Sequence, residues 1–226
     1  MAGIRCVMFD FWNVTAIFNT PLFHYFLLHN SRSGKNSEKP FRDLSHEIYK
    51  RFDLGEFDYT EFFYLLGQAS DFKPDVTIDE FSKMFTDILI IDEEMLRIRD
   101  GLRQKGIATA LITNMNQFHA DYIRRMHPRI FGGYECNFIS CEERIAKPDP
   151  EAWIITLDRL GFKSEETIFV DDCLENIEVA CELGIKGWYY NIADEDYYQN
   201  GRLEEERLKL KNFLNFLGNR GILKPL

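Results

Sequence analysis

Ile4-Arg5-Cys6-Val7-Met8-Phe9-Asp10 is a short, nearly continuous apolar run that stops on an acid. Apolarity without alternation suits a strand buried on both faces. The same form recurs downstream. Residues 107–112 stop at Thr113-Asn114, 134–139 at Ser140, 167–170 at Asp171-Asp172 and 187–190 at Asn191. Segments of helical period fill the gaps at Glu93–Gln104, 116–125, 150–160 and 174–183. Two of them are followed by Gly161 and Gly184, as helix C-termini often are. Residues 201–217 carry leucine and phenylalanine at helical spacing and predict a helix packed on the surface. Strands alternating with helices predict an α/β fold built on a doubly wound parallel sheet.

Between the first two of these strands the pattern changes. Residues 17–91 show no strand signal but several helical patterns dense in phenylalanine, such as Phe62-Phe63-Tyr64-Leu65-Leu66. One crossover needs a single helix, so this length predicts a small all-helical insertion directly after the first strand. The division is then 1–16 and 92–226 for the core and 17–91 for the insertion. The insertion's phenylalanines read as its own core, and the polar residues 31–37 as a loop.

Bulk properties narrow the function. A chain of 226 residues suits one large domain, or a core with a small insert. A net charge of −10 with no basic run argues against a nucleic-acid partner, because that binding depends on lysine and arginine neutralising phosphates. Five scattered cysteines read as reduced thiols rather than a disulfide framework or zinc site. No apolar run approaches the ~20 residues that span a bilayer, and the N-terminus has no signal-peptide form. The expectation is a soluble, cytoplasmic protein without a membrane partner, monomeric or homodimeric.

Ligands of open α/β sheets bind beyond the C-terminal strand ends. Asp10, Thr113, Asn114, Asp171 and Asp172 therefore converge on one crevice, although they are far apart in sequence. One acid or amide after a strand is ordinarily a turn former or helix cap. Several strands ending this way point to a site. The five histidines show no metal or triad spacing; His24 and His29 fall near the start of the insertion. There is no Gly-x-Ser-x-Gly elbow and no glycine-rich phosphate loop.

Four motifs carry a family resemblance. They are Asp10-Phe11-Trp12-Asn13-Val14, Leu111-Ile112-Thr113-Asn114, Lys147-Pro148-Asp149-Pro150 and Ile168-Phe169-Val170-Asp171-Asp172-Cys173-Leu174-Glu175-Asn176. In order and spacing they resemble the haloacid dehalogenase-like (HAD) hydrolase superfamily, subfamily I with a helical C1 cap. The nearest branch holds sugar phosphatases and the N-terminal phosphatase of soluble epoxide hydrolases. The resemblance implies a Rossmann-like core and an Mg²⁺-dependent phosphatase acting on a small phosphate ester, such as a sugar phosphate. Asp10 would be the nucleophile that forms an aspartyl-phosphate. Thr113, Asn114 and Lys147 would hold the phosphate. Asp10, the Trp12 carbonyl and Asp172 would bind Mg²⁺, with Asp171 acting through water and Asn176 supporting it. Three carboxylates in one place would repel one another without a divalent ion and a lysine. Glu56, in a Gly-Glu turn of the cap, would reach a substrate hydroxyl or stand exposed.

One position departs from the pattern. The family's phosphatases usually carry an acid two residues after the nucleophile to protonate the leaving alcohol. Trp12 stands there, and an indole cannot transfer that proton. Two alternatives stay open: a catalytically silent scaffold, and a metal-free 2-haloacid dehalogenase, which needs no leaving-group proton but does not call for the Asp171-Asp172 pair.

Overall fold

The computed structural model describes residues 3–34, 39–192 and 201–224. Five parallel strands, β1 (Cys6–Phe9), β4 (Ala108–Thr113), β5 (Cys136–Ile139), β6 (Thr167–Asp171) and β7 (Lys186–Tyr189), lie in the order β5-β4-β1-β6-β7. β1 is central because every one of its residues is buried. Its Phe9 pairs with Leu111 on one side and Val170 on the other. That register brings the ends of β1, β4 and β6 level, so the polar residues that follow them share one edge.

Both sheet faces are covered, as in a doubly wound α/β fold. On one side Val7, Phe9, Leu111 and Val170 pack against α5 (Glu93–Gln104), α6 (Gln117–Met126) and α10 (Arg202–Asn219). On the other, Met8, Ala110 and Phe169 meet α8 (Glu151–Leu160) and α9 (Leu174–Glu182). A short α7 (Ser140–Glu143) follows β5. Each large apolar side chain that goes fully under contributes about 1.5–3 kcal/mol, and α10 places Leu203, Leu210, Leu214 and Leu217 there. Asp92 starts α5 by accepting from the Glu94 and Met95 N–H groups. Gly161 ends α8 in the left-handed conformation that glycine adopts without strain.

The insertion holds α1 (Thr20–Asn30), α2 (Lys39–Asp53), α3 (Tyr59–Ala69) and α4 (Ile78–Asp87). Its core is separate from the other two and is built on Phe52, Phe62, Phe81 and Phe85, all at most 1% exposed. One feature departs from the sequence expectation. β2 (Ala16–Phe18) and β3 (Leu89–Ile91) pair antiparallel as a two-stranded ribbon between core and insertion. Three residues are too few to show an alternating pattern, so the ribbon left no signal. Of the polar loop at 31–37, residues 35–37 lie outside the described residues; Ser31 bridges to Phe72. All five cysteines are free, and no helix among the described residues is long and apolar enough to cross a membrane.

Candidate active site

Asp10 follows β1 directly, its backbone N–H held by the Val170 carbonyl at 2.9 Å. Lys147 Nζ lies 2.7 Å from Asp10 Oδ1 and 2.6 Å from Asp171 Oδ2, and all three side chains are at most 9% exposed. Asp171 is fully committed. Its Oδ1 accepts from the Cys173 N–H at 2.7 Å, and Asn176 Nδ2 reaches both of its oxygens, at 3.2 and 3.1 Å. Asp172 is oriented differently: Asn13 Nδ2 donates to its Oδ2 at 2.9 Å. Asn13 makes that reach from a positive φ of 59°, a conformation asparagine tolerates better than most side chains.

The electrostatics follow from burial. Desolvation pushes the Asp10 carboxyl up to about 8; Lys147 pulls against it, while Asp171 and Asp172 add to it. Asp172 rises to about 6, first from burial and then from Asp171. Burial works against the Lys147 ammonium too, but Asp10 and Asp171 outweigh it and hold lysine above its usual range. One ammonium facing three carboxylates leaves excess negative charge. Asp10, Asp171 and Asp172 each offer an oxygen within 4.8 Å of the others. Asp10 Oδ1 is buried, with the Lys147 ammonium 2.7 Å away. An all-oxygen donor set carrying more negative charge than one ammonium balances fits a hard divalent cation such as Mg²⁺.

Thr113 closes β4 and is fully buried; its Oγ1 lies 3.4 Å from the Asn114 carbonyl and makes no direct hydrogen bond to Asp10 or Lys147. Asn114, expected on the phosphate, lines the cavity and clamps the lysine segment. Its Nδ2 donates to the Lys147 carbonyl and its Oδ1 accepts from the Lys147 N–H, both at 2.8 Å.

Above this cluster a cavity of about 660 Å³ opens between sheet edge and insertion, its wall including Trp12, Asn13, Tyr49, Asp53, Asn114 and His119. The Trp12 ring is held edge-to-face by Phe11, Phe18 and His119 at 5.0–5.4 Å. His24 lines the cavity, whereas His29 stacks on Tyr25 at 4.1 Å. Glu56 does not line it: the structure places it in an exposed ion pair with Arg51 at 2.7 Å. Gly55 before it takes a φ of +69°.

Three cavity residues escaped the sequence reading. Asp53, at the end of α2, takes a 3.0 Å hydrogen bond from Asn116 Nδ2, and burial pushes its carboxyl up to about 7. His119 is fully buried with Nε2 2.7 Å from the Phe85 carbonyl and Nδ1 without a partner, and burial lowers it to about 4, so it is neutral at pH 7. Asn13 was visible only as part of a motif. No local pattern marks Asp53 or His119, because both make their contacts across the boundary between insertion and core.

The matches to known proteins agree with this arrangement. Sesquiterpene phosphatase astK of Aspergillus oryzae (strain ATCC 42149 / RIB 40) is 29% identical over 146 residues, 64% of this chain and 72% of that protein. Acyl-CoA dehydrogenase family member 10 of Mus musculus is 38% identical over 84 residues, 37% of this chain; the match spans only 8% of that longer protein. In fold, the chain resembles the HAD family enzyme bt-2542 from Bacteroides thetaiotaomicron in complex with magnesium and inorganic phosphate. The TM-score is 0.68 at 22% identity, covering 85% of this chain and 96% of that one. The family model for haloacid dehalogenase-like hydrolases matches residues 4–184. With its four motifs gathered at one sheet edge under that match, the chain belongs to the haloacid dehalogenase-like hydrolases.

Proposed function

We propose that the protein is an Mg²⁺-dependent phosphatase that cleaves a small phosphate ester through an aspartyl-phosphate on Asp10. The observation that carries this is the convergence of Asp10, Asp171 and Asp172 within 4.8 Å, with Lys147 bridging two of them. A metal-free dehalogenase has no use for three carboxylates in one place.

Each residue then has a task that its contacts support. Asp10 attacks phosphorus in line, splitting hydrolysis into two easier steps. Lys147 neutralises the phosphoryl oxygens, and Asn114 fixes where that ammonium stands. Thr113 and the backbone N–H groups at the strand ends take the non-bridging oxygens. Because Asp171 already spends both oxygens on protein donors, Asp10, Asp172 and the Trp12 carbonyl would hold Mg²⁺ directly and Asp171 would act through water. Bound there, the cation supplies charge stabilisation for the transferring phosphoryl group.

The insertion, residues 17–91, serves as the cap that selects the alcohol. Sugar phosphates are the substrates its family branch suggests. The aromatic wall of Trp12, Phe18, Phe23 and Tyr49 also supports an ester with an apolar alcohol, in keeping with the name of the Aspergillus relative. The test is phosphate release from p-nitrophenyl phosphate, a sugar phosphate and a prenyl phosphate, with Mg²⁺ and with chelator. Turnover that needs Mg²⁺ and disappears in Asp10→Asn is the expected result. No turnover of any ester by the folded protein returns the scaffold reading.

A further inference from the structure

Trp12 leaves the proposed reaction short of one proton. When the P–O bond breaks, the leaving oxygen of an alkyl ester becomes a poor, high-pKa alkoxide unless it is protonated. Asp10 approaches phosphorus from the sheet edge, so an in-line leaving group points the other way, into the cavity under the cap. The donor has to be in that cavity's wall.

Asp53 is an acid in that wall, and the core itself holds it there. The loop after β4 grips two things at once. Asn114 clamps the Lys147 backbone, while Asn116 donates to Asp53 Oδ1 at 3.0 Å. Two residues along a chain, those asparagines have Cα atoms no more than about 7 Å apart. Ser140, at the end of β5, adds a second tie: its Oγ accepts from the Met115 N–H at 2.9 Å and donates to the Asp53 carbonyl at 2.5 Å. The end of α2 is thus fastened to the ends of β4 and β5, beside the lysine that faces the phosphate. Asn116 holds the carboxyl twice, through its side-chain amide on Oδ1 and through its backbone N–H.

Resting on the phosphatase reading, we propose that Asp53 is the general acid–base residue of the reaction, taking over from the cap the task that Trp12 cannot perform. In the first step the protonated Asp53 carboxyl gives its proton to the bridging oxygen as the P–O bond breaks and the bond from Asp10 to phosphorus forms. The alcohol leaves neutral. In the second step water enters the vacated position, Asp53 carboxylate takes its proton, and the new oxygen–phosphorus bond displaces Asp10. Ester plus water gives alcohol plus phosphate, and Asp53 ends as it began.

The surroundings suit this cycle. Burial raises the Asp53 carboxyl to about 7, so both protonation states are accessible near neutrality. The groups facing it are Tyr49 on its own helix, Asn116 and His119 from α6, and Ser140 and Cys141 from α7; Lys50, His46 and His24 share the cavity. None of these forms an ion pair with Asp53 among the described residues.

The test is kcat/KM for wild type and Asp53→Asn over a series of aryl and alkyl phosphates with leaving groups of increasing pKa, with pH profiles for the best alkyl ester. Loss of a general acid costs about 10²–10⁴-fold. In kcat/KM, which reports the first step, that loss should fall on alkyl esters and leave p-nitrophenyl phosphate within a few fold, whereas kcat should fall for every ester because the second step loses its base. Wild type should lose alkyl-ester activity as pH rises through about 7, and Asp53→Asn should lack that limb. A second reading needs no variant: wild-type rates should depend only weakly on leaving-group pKa. Turnover with the same steep leaving-group dependence in both proteins overturns the role of Asp53 and leaves the phosphatase reading standing. Absence of Mg²⁺-dependent turnover of every ester overturns the phosphatase reading itself.

Discussion

At Lys147 an ammonium that is 2% exposed sits within 2.7 Å of two carboxylates. Removing one partner of a buried ion pair strands the others, typically at about 3–5 kcal/mol. Lys147→Met should therefore lower the urea midpoint as well as abolish activity, and Mg²⁺ should restore part of the lost stability by offsetting Asp10 and Asp171. A midpoint unchanged from wild type would contradict a stabilising role for this buried ion pair. Asp10, Lys147, Asp171 and Asp172 were legible in the sequence because each follows a strand or motif of fixed form. Asp53 was not. What makes it a cavity residue is Asn116, 63 positions away, and no local periodicity records such a contact. In the nearby Gly-Glu turn, Glu56 stands exposed and paired with Arg51.

Elements with strong local chemistry were read closely, and those without it were missed. α5 begins where Asp92 caps it, and the same carboxylate pairs with Arg207 of α10 at 2.7 Å, tying two helices of one face together. The β2–β3 ribbon owes its existence to closing the insertion at its root, a demand of the tertiary fold that three residues per strand cannot announce. Close approach at β7 gives an element-scale prediction. A Cβ on Gly187 would stand 2.6 Å from Ile177 Cγ2 and 2.9 Å from Cys181 Sγ, both on α9. Gly187→Ala must push α9 off the sheet edge, and overpacking of this kind costs about 1–3 kcal/mol. Thermal unfolding should show a lowered midpoint. A neutral or raised one would mean that α9 gives way without loss of packing.

For the whole molecule, what matters is how a parallel sheet and an inserted cap share one site. The order β5-β4-β1-β6-β7 places β1 between the two strands that bring the remaining acids and the loop holding the lysine. The alternation of strands and helices made this core predictable. How the insertion sits on the core was beyond reach, because it depends on contacts such as Ser140 with Asp53 that join segments 87 residues apart. Concentrated negative charge at the junction gives a molecule-scale prediction. A ligand present at 100 times its Kd stabilises a fold by about 2.7 kcal/mol, so Mg²⁺ should raise the melting temperature and chelator should reverse the rise. Asp172→Asn should remove most of the effect; an equal rise in that variant would place the cation elsewhere.

The central claim is that Asp10 carries the phosphoryl group. Wild-type protein mixed with p-nitrophenyl phosphate and Mg²⁺, quenched in acid during turnover and digested, tests it by mass spectrometry of the N-terminal peptides. The account predicts one acid-stable, hydroxylamine-labile phosphoryl group on the peptide holding Asp10, and none in Asp10→Asn. Steady phosphate release with no phosphoryl group on that peptide under any quench time, or the same release from Asp10→Asn, would contradict it.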